Sequence, residues 1–599
     1  MFTNKMMELI ITDRLHKGCM IIDKPPHFVS TRKLSAKEIA FARKNTIRRY
    51  YLPSLNEYES AEFFEEFDKF WDQVVKPFNA KSPFWRNVVS SKMQGWEQSS
   101  AYFATMLFTL SKRVGKVPSC IIVACSSIAE EDVCEKWGKS KGWNIYRKPF
   151  RPLPRWIRLF CQGIKNTLDF FYMSAACLYK KWYSPKYEPK MQKTENKVLI
   201  VSLFYLNSFK NEKYLDPFFG NLHSKIEKNG YYVTYCCEPL DDFRKSRKKI
   251  DGCSDVTILI PYSVIPWSSL ILLIFKIFFR RLRISRSYFG ECDFSGVLKW
   301  NARRFNNFFN FGAEIYYSAI KKICEREQFD RLIHLFEGNV MERACIQAYR
   351  ENYPKNKIIG YNHAALYPFN LKLKLTPGEY EKRPDPDIFV SAGSYSMELL
   401  RRLGNRDAKR IRAGCSLRDI PKITKIVETN PASKTILIAT EGAVSNIAML
   451  DFIFKNSFLF LGKKVILRGH PNVPIENLLK ACSFSKPQWF EISNDGLMAD
   501  LEKCSCVIYR YTSVGMQALL NGIPVIHLNI DSPLIGDPLF EYNKIGKWTV
   551  KNAEELENAL NEINNLLNID KKMIRVNASS FINEYFTPPN SVGIEDFLT

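Results

Sequence analysis

From Lys197 onward, apolar runs of strand length alternate with stretches long enough for helices. Lys197-Val198-Leu199-Ile200-Val201 reads as a strand, residues 217–229 as a helix stopped by Gly230, and residues 231–235 as the next strand. Parallel strands need such a crossover, so this is a βαβ opening. Further strands are expected at 331–336, 357–361 and 387–390. After a polar stretch at 405–433 a second alternation follows, with strands at 435–439, 464–467, 489–492, 506–509 and 524–528. Two consecutive doubly wound α/β units place a ligand between their strand ends. Earlier in the chain a strand is expected at 119–124 among helical stretches, and the polar, proline-bearing segment 186–196 reads as a linker. The expected division is an N-terminal α/β extension (1–190), a Rossmann-like domain on the acceptor side (197–400) and a second Rossmann-like domain on the donor side (401–599).

The 599-residue length exceeds one usual core, and 46% hydrophobic with 14% aromatic residues excludes a disordered chain. A net charge of +25 calls for an anionic partner. Nucleic acid is set aside, because the basic stretches match no zinc-finger, RNP or helix-turn-helix pattern. Residues 151–190 interleave basic residues with Trp156, Phe160, Phe171, Tyr172 and Trp182, and the apolar run 270–279 leads directly into Arg280, Arg281, Arg283 and Arg286. That run is too short to cross a bilayer and is interrupted by Lys276. It is either an in-plane element on an anionic membrane or a buried helix with a solvated basic end. Peripheral contact with the inner face of the cytoplasmic membrane, through 151–190 and 264–286, is the expectation. Sixteen cysteines without a framework and a first twenty residues without a signal-peptide core fit a reduced, cytoplasmic protein.

The chemistry concentrates where apolar runs end. Val465-Ile466-Leu467-Arg468-Gly469-His470-Pro471-Asn472 closes a strand on a histidine locked to a proline, and Tyr511-Thr512-Ser513-Val514-Gly515 opens a helix-like run. An imidazole at a strand's carboxyl end and hydroxyls at a helix start both hold phosphate, and Val514 supplies a backbone N–H there. The structural alternatives are a hydrogen-bonded loop histidine for His470 and a plain helix cap for Thr512 and Ser513. Arg468 can offer its planar fork to a carboxylate or phosphate, or lie on the surface. Asp385-Pro386-Asp387 spells a D-x-D metal motif, but its place after Arg383-Pro384 and before a strand marks a turn. No metal ligand and no cofactor are assigned.

The order strand-Thr440-Glu441-Gly442, strand-Arg468-Gly469-His470-Pro471, then C-V-I-Y-R-Y-T-S-V-G-M-Q-A-L-L-N-G-I-P-V-I resembles the C-terminal half of bacterial transferases that use CMP-activated acidic sugars. These are the sialyltransferase-like and Kdo transferase families with an HP motif. Upstream, H-L-F-E-G-N-V-M-E-R-A and K-I-I-G-Y-N-H-A-A-L-Y-P are similar to segments of surface-carbohydrate biosynthesis proteins. The resemblance spans roughly residues 197–570, with Ser82-Pro83-Phe84-Trp85 a weak echo before it. It implies a metal-independent GT-B glycosyltransferase that moves Kdo or a sialic-type acid from a CMP-sugar to a lipid-linked or oligosaccharide acceptor in a lipopolysaccharide O-antigen or capsule. His470 and Pro471 then contact the donor phosphate, with Thr512 and Ser513.

Glu441 occupies the acidic position of that pattern, where it is a general base, a nucleophile, or a glutamate that merely complements a helix dipole. Glu337 ends a strand of the first unit and is the second catalytic candidate. Gly442, Asn339, Asn362 and His363 are candidate substrate contacts, and Glu342 is expected to be solvated or salt-bridged within a helix. A CDP-polyol phosphotransferase is the neighbouring reading, and a non-catalytic glycan-binding scaffold the reading from another class.

Overall fold

The computed structural model describes residues 8–12, 27–30, 48–49, 54–92, 99–113, 120–124, 127–143, 145–147, 154–185, 196–210, 212–305, 308–368, 370–418, 435–441, 446–470, 473, 475–530 and 534–598. Three parallel sheets organise it. The first holds β1 (Glu8–Thr12), β2 (His27–Ser30), β3 (Arg48–Arg49), β4 (Cys120–Ala124) and β5 (Ile145–Arg147), in the order β3-β2-β1-β4-β5. The second holds β6 (Lys197–Phe204), β7 (Tyr232–Pro239), β8 (Thr257–Leu259), β9 (Arg331–Leu335), β10 (Lys357–Asn362), β11 (Ile388–Ser391) and β12 (Ile411–Ala413), ordered β8-β7-β6-β9-β10-β11-β12. The third holds β13 (Thr435–Ala439), β14 (Lys464–Arg468), β15 (Phe490–Ile492), β16 (Cys506–Tyr509), β17 (Val525–Leu528) and β18 (Lys547–Val550), ordered β15-β14-β13-β16-β17-β18.

Each sheet runs third, second, first, fourth, fifth in its own strand count, which is the doubly wound order. Such a sheet opens a crevice outside the strands' carboxyl ends, where the winding reverses. In the second sheet the reversal lies between β6 and β9, and in the third between β13 and β16. The strands there are apolar on both faces, β13 being buried at all five positions, because helices cover both sides.

Eight helices matter below: α1 (Glu57–Val75), α2 (Arg155–Tyr183), α3 (Phe243–Asp251), α4 (Trp267–Phe279), α5 (Phe308–Arg326), α6 (Val340–Asn352), α7 (Val514–Leu520) and α8 (Asn568–Tyr585). An Asn56/Glu59 capping box starts α1, and Phe63, Phe67, Phe70, Trp71 and Val74 recur at helical spacing to form its buried face. That face shares a core with Phe289, Phe294, Val297 and Leu371, so the N-terminal helices are fused to the second sheet's domain. The Ser82-Pro83-Phe84-Trp85 segment lies on the same joint. Arg86 after it pairs with the buried Glu314 of α5 at 2.8 Å and donates to Gln347 of α6 at 3.0 Å.

Three readings change. The helix expected at 217–229 begins only at Leu222, because Asp216 accepts from the backbone N–H groups of Phe218 and Phe219 and holds them in a turn. The first domain runs past residue 400, since β12 pairs with β11, and the chain's end returns to it with Ile594 and Phe597 in its core. The run 270–279 is a helix buried on one side only: α4 buries Leu270, Leu273 and Ile277 while exposing Ile271, Leu272, Phe275 and Phe279. Most of the expected linker, 186–195, lies outside the described residues, and no described helix is long and apolar enough to cross a membrane.

Candidate functional site

Between the carboxyl ends of the second and third sheets lies a cavity of about 520 Å³. The first domain contributes Glu337, His363, Tyr367, Ser416 and Arg418; the second contributes Glu441, His470, Tyr511, Thr512, Ser513 and Gln517. Pro538, Ile582 and Phe586 close part of the wall. Six segments separated in sequence thus deliver their strand-end residues to one space. A cavity of this size suits a small-molecule ligand.

On the second domain's wall, β13 is followed by Thr440 and the buried Glu441. The Glu441 backbone N–H donates to Asn446 Oδ1 at 3.0 Å, and Asn446 Nδ2 returns a bond to the Glu441 carbonyl at 2.7 Å. Beside it, Thr440 Oγ1 donates to the Arg468 carbonyl and accepts from the His470 N–H, both at 3.1 Å. One hydroxyl therefore stitches the end of β13 to the end of β14 and aims the histidine. Burial lowers the His470 pKa from its ordinary value, which favours the neutral imidazole at neutral pH. Thr440→Val keeps the shape and removes both bonds. It should cost about 1–3 kcal/mol in a urea titration, since the His470 N–H loses its partner while the Arg468 carbonyl keeps the Thr440 N–H at 3.0 Å.

Across the reversal point, β16 leads into Tyr511, Thr512, Ser513 and α7. Ser513 sits at the start of α7 without a side-chain cap, and the Val514 N–H points to Thr512 Oγ1 at 3.4 Å. The helix has seven residues, so its dipole is small and the hydroxyls are what it offers a phosphate. Gly515 allows the close approach: a Cβ there would fall 2.8 Å from the Tyr509 ring. Tyr509 in turn donates to Asp537 at 2.8 Å, which Lys547 holds at 2.6 Å, setting Pro538 at the rim.

On the first domain's wall, Glu337 is half-buried, with His363 Nε2 at 3.4 Å, Lys372 Nζ at 3.3 Å and Asn339 Nδ2 at 3.3 Å. Burial alone would raise Glu337, but the Lys372 ammonium and its hydrogen bonds bring it down to about 2. Burial lowers His363 to about 4, leaving a neutral ring edge-on to Phe218. Glu342 is not solvated. It accepts from the N–H groups of Glu337, Gly338 and Asn339 at 2.8–3.0 Å, and burial and the Glu337 charge still raise it to about 7. This box builds the turn that presents Glu337. Gly338, at φ +81°, makes the turn possible, because a Cβ there would meet the Lys372 carbonyl at 2.5 Å.

Several candidates stand elsewhere. Arg468 binds Asp500 and the Asp495 carbonyl, both at 2.7 Å, so its fork is spent on structure. Asn362 is fully buried and donates to the Phe336 carbonyl. Asn339 caps α6 and braces Glu337 rather than facing the cavity. Asp385 is enclosed by Arg383 and Arg406, and Asp387 holds Arg350, which accounts for the D-x-D spelling. Pro471 and Gly442 lie outside the described residues.

Sequence reasoning passed over Tyr367, Lys372, Ser416, Arg418, Tyr511 and Gln517. Tyr367 lies between the two walls: burial first, then the charges of Glu441 and Glu337 and the nearby Tyr511, push its phenol upward. It and Lys372 follow β10 in a loop with no periodicity to mark them. The nearest signal was the aromatic in the motif N-H-A-A-L-Y-P.

No protein-family model and no curated protein matches the chain. Among solved structures it is similar to the glycotransferase of kitacinnamycin (12% identity over 65% of this chain and 96% of that one, TM-score 0.37). It is similar to a UDP-N-acetylglucosamine 2-epimerase from Listeria monocytogenes (15%, 67% and 99%, TM-score 0.37) and to MurG of Acinetobacter baumannii (10%, 67% and 99%, TM-score 0.37). The strand orders themselves carry the architecture: two Rossmann-like domains of GT-B type, facing across the cleft that gathers Glu337, His363, Glu441, His470, Thr512 and Ser513.

Proposed function

We propose that this protein is a glycosyltransferase that moves an acidic sugar, Kdo or a sialic-type acid, from its CMP donor to a surface glycan. The observation that carries the reading is the single cavity in which the H-P and T-S motif residues meet carboxylates from both domains. The CMP and acidic-sugar preference rests on the motif resemblance.

In this reading His470, with Thr512 and Ser513, holds the donor phosphate. Its neutral imidazole donates a hydrogen bond that strengthens as charge gathers on departing CMP. Glu441, at the tip of β13, takes the proton of the acceptor hydroxyl. Glu337 stays ionised down to about 2 and is too weak a base for that task at neutral pH. Its role is a fixed negative charge that stabilises positive charge developing on the sugar ring, with neutral His363 beside it. The exposed Arg418 at the cavity edge offers a planar fork to a sugar carboxylate. A panel of CMP-sugars with oligosaccharide acceptors tests the assignment. The expected product gains the mass of the sugar alone; a product that retains phosphate would make the enzyme a polyol-phosphate transferase instead.

A further inference from the structure

The helix α2 is amphipathic in the inverted sense. Its inward stripe, Phe170, Met173 and Cys177, packs on the second sheet's domain, while Trp156, Phe160, Ile164, Leu168, Tyr172 and Tyr179 form a second apolar stripe that faces out. Trp156 is 69% exposed, Phe160 64% and Tyr172 75%. A lone exposed apolar residue is ordinary, but a stripe sustained along a 29-residue helix is not.

The outward face of α4 continues that surface. Trp182 meets Trp267 at 6.4 Å between ring centroids, Phe170 meets Phe278 at 4.7 Å, and Lys181 Nζ donates to the Ser263 carbonyl at 3.2 Å. Ile271, Leu272, Phe275 and Phe279 therefore extend the same apolar face.

Cations border it on two sides. The helix α3, with Arg244, Lys245, Arg247, Lys248 and Lys249 all exposed, abuts α2 through Arg244, which lies 4.3 Å over the Tyr183 ring. At the far end of α4, Arg281, Arg283 and Arg286 are exposed. An apolar strip with a basic margin complements the headgroup region of an anionic bilayer, whereas a second copy of this chain, at net charge +25, would bring like charges together at both borders.

The position of the face is informative too. The helix α4 follows the carboxyl end of β8, and Lys180 of α2 pairs with Glu238, near the carboxyl end of β7, at 2.5 Å. The Trp182–Trp267 end of the strip thus stands at the sheet edge that also carries Glu337 and His363, about 14 Å across the sheet at three strand spacings from β8 to β9.

We propose that the joint face of α2, α3 and α4 docks on an anionic lipid bilayer, sinking the apolar strip among the headgroups and holding the cleft mouth near the membrane surface. The proposal does not depend on the identity of the sugar donor.

Flotation of the full-length protein with vesicles tests it, without any nucleotide. Phosphatidylcholine vesicles containing phosphatidylglycerol should bind about tenfold or more tightly than phosphatidylcholine alone, with binding weakened by salt. Phe160→Ser with Leu168→Ser should lose most binding to the anionic vesicles, and Arg247→Glu with Lys248→Glu should abolish the preference for them. All four side chains are exposed, so thermal melting should stay at the wild-type value. Failure of the wild type to float with anionic vesicles, or equal flotation of the variants, would overturn the proposal. So would a dimer in light scattering that the serine pair disperses, since the face would then belong to a second copy of the chain.

Discussion

Glu441→Gln is expected to lower turnover by about 10²–10⁴-fold, the contribution of a positioned general base, while leaving CMP affinity close to wild type. The amide is nearly isosteric. The backbone that presents it is held by Asn446 through both its N–H and its carbonyl, independently of the side chain. The acidic limb of the rate profile that reports a carboxylate losing its proton should disappear with the substitution. Initial rates across pH, paired with calorimetric CMP binding on the same preparation, separate the outcomes. If affinity falls and turnover of bound donor survives, Glu441 is a donor-binding residue and the proton has another acceptor.

Glu379→Ala should produce the largest loss of stability, about 3–5 kcal/mol, the usual penalty for stripping one partner from a buried ion pair. Its carboxylate is fully buried, 2.6 Å from Lys92 Nζ and 3.4 Å from Arg383, and it also accepts from Trp71 Nε1 at 3.1 Å and the Thr376 N–H at 3.0 Å. Arg343, Arg383 and Arg406 share this interior with Lys92, and Glu379 and Asp385 are the carboxylates paired there with Lys92, Arg383 and Arg406. Burial would raise Glu379, but Lys92, Arg383 and Arg343 hold it near 2, and burial lowers Lys92 to about 8. Because the folded pKa lies below the unfolded value, Glu379 contributes its full stability above about pH 4.5, and that contribution is lost as pH falls toward 2. Urea titrations at several pH values read both effects. The double substitution Lys92→Met with Glu379→Met should recover much of the loss, because no lone buried charge remains.

That network also reaches the site. Arg343 binds Ser90 Oγ at 2.9 Å and faces the carbonyls of Gly338 and Lys372 at 3.4 and 3.5 Å, so the turn that presents Glu337 is braced by the N-terminal helices. The extension before residue 190 thereby supports the wall of the cavity that carries Glu337.

The two central sheets were legible because each strand is a short apolar run with a helix-length gap after it, and His470, Glu441 and Thr512 stand where such runs stop. Other features had no local mark. The strand β3 is two residues of arginine, and the doubly wound order of the first sheet comes from pairing, which periodicity does not encode. Whether a helix joins one core or another is likewise set by contacts distant in sequence, which is why the return of Ile594 and Phe597 to the first domain went unread. Glu342 reads as a solvated or salt-bridged helix residue from its position after the strand, and only the turn around it shows that it accepts from three backbone N–H groups. Arg468 looked available beside the histidine until Asp500 was placed opposite it.

The central claim is that the end of β14 and the start of α7 form a nucleotide-phosphate site. Calorimetric titration of CMP into the wild-type protein and into His470→Ala tests it most directly. Binding by the wild type that weakens about 10–100-fold in the variant, the 1.5–3 kcal/mol of a hydrogen bond to a charged group, is the predicted result. Wild-type protein that takes up no CMP, or a variant that binds it equally well, would contradict the account.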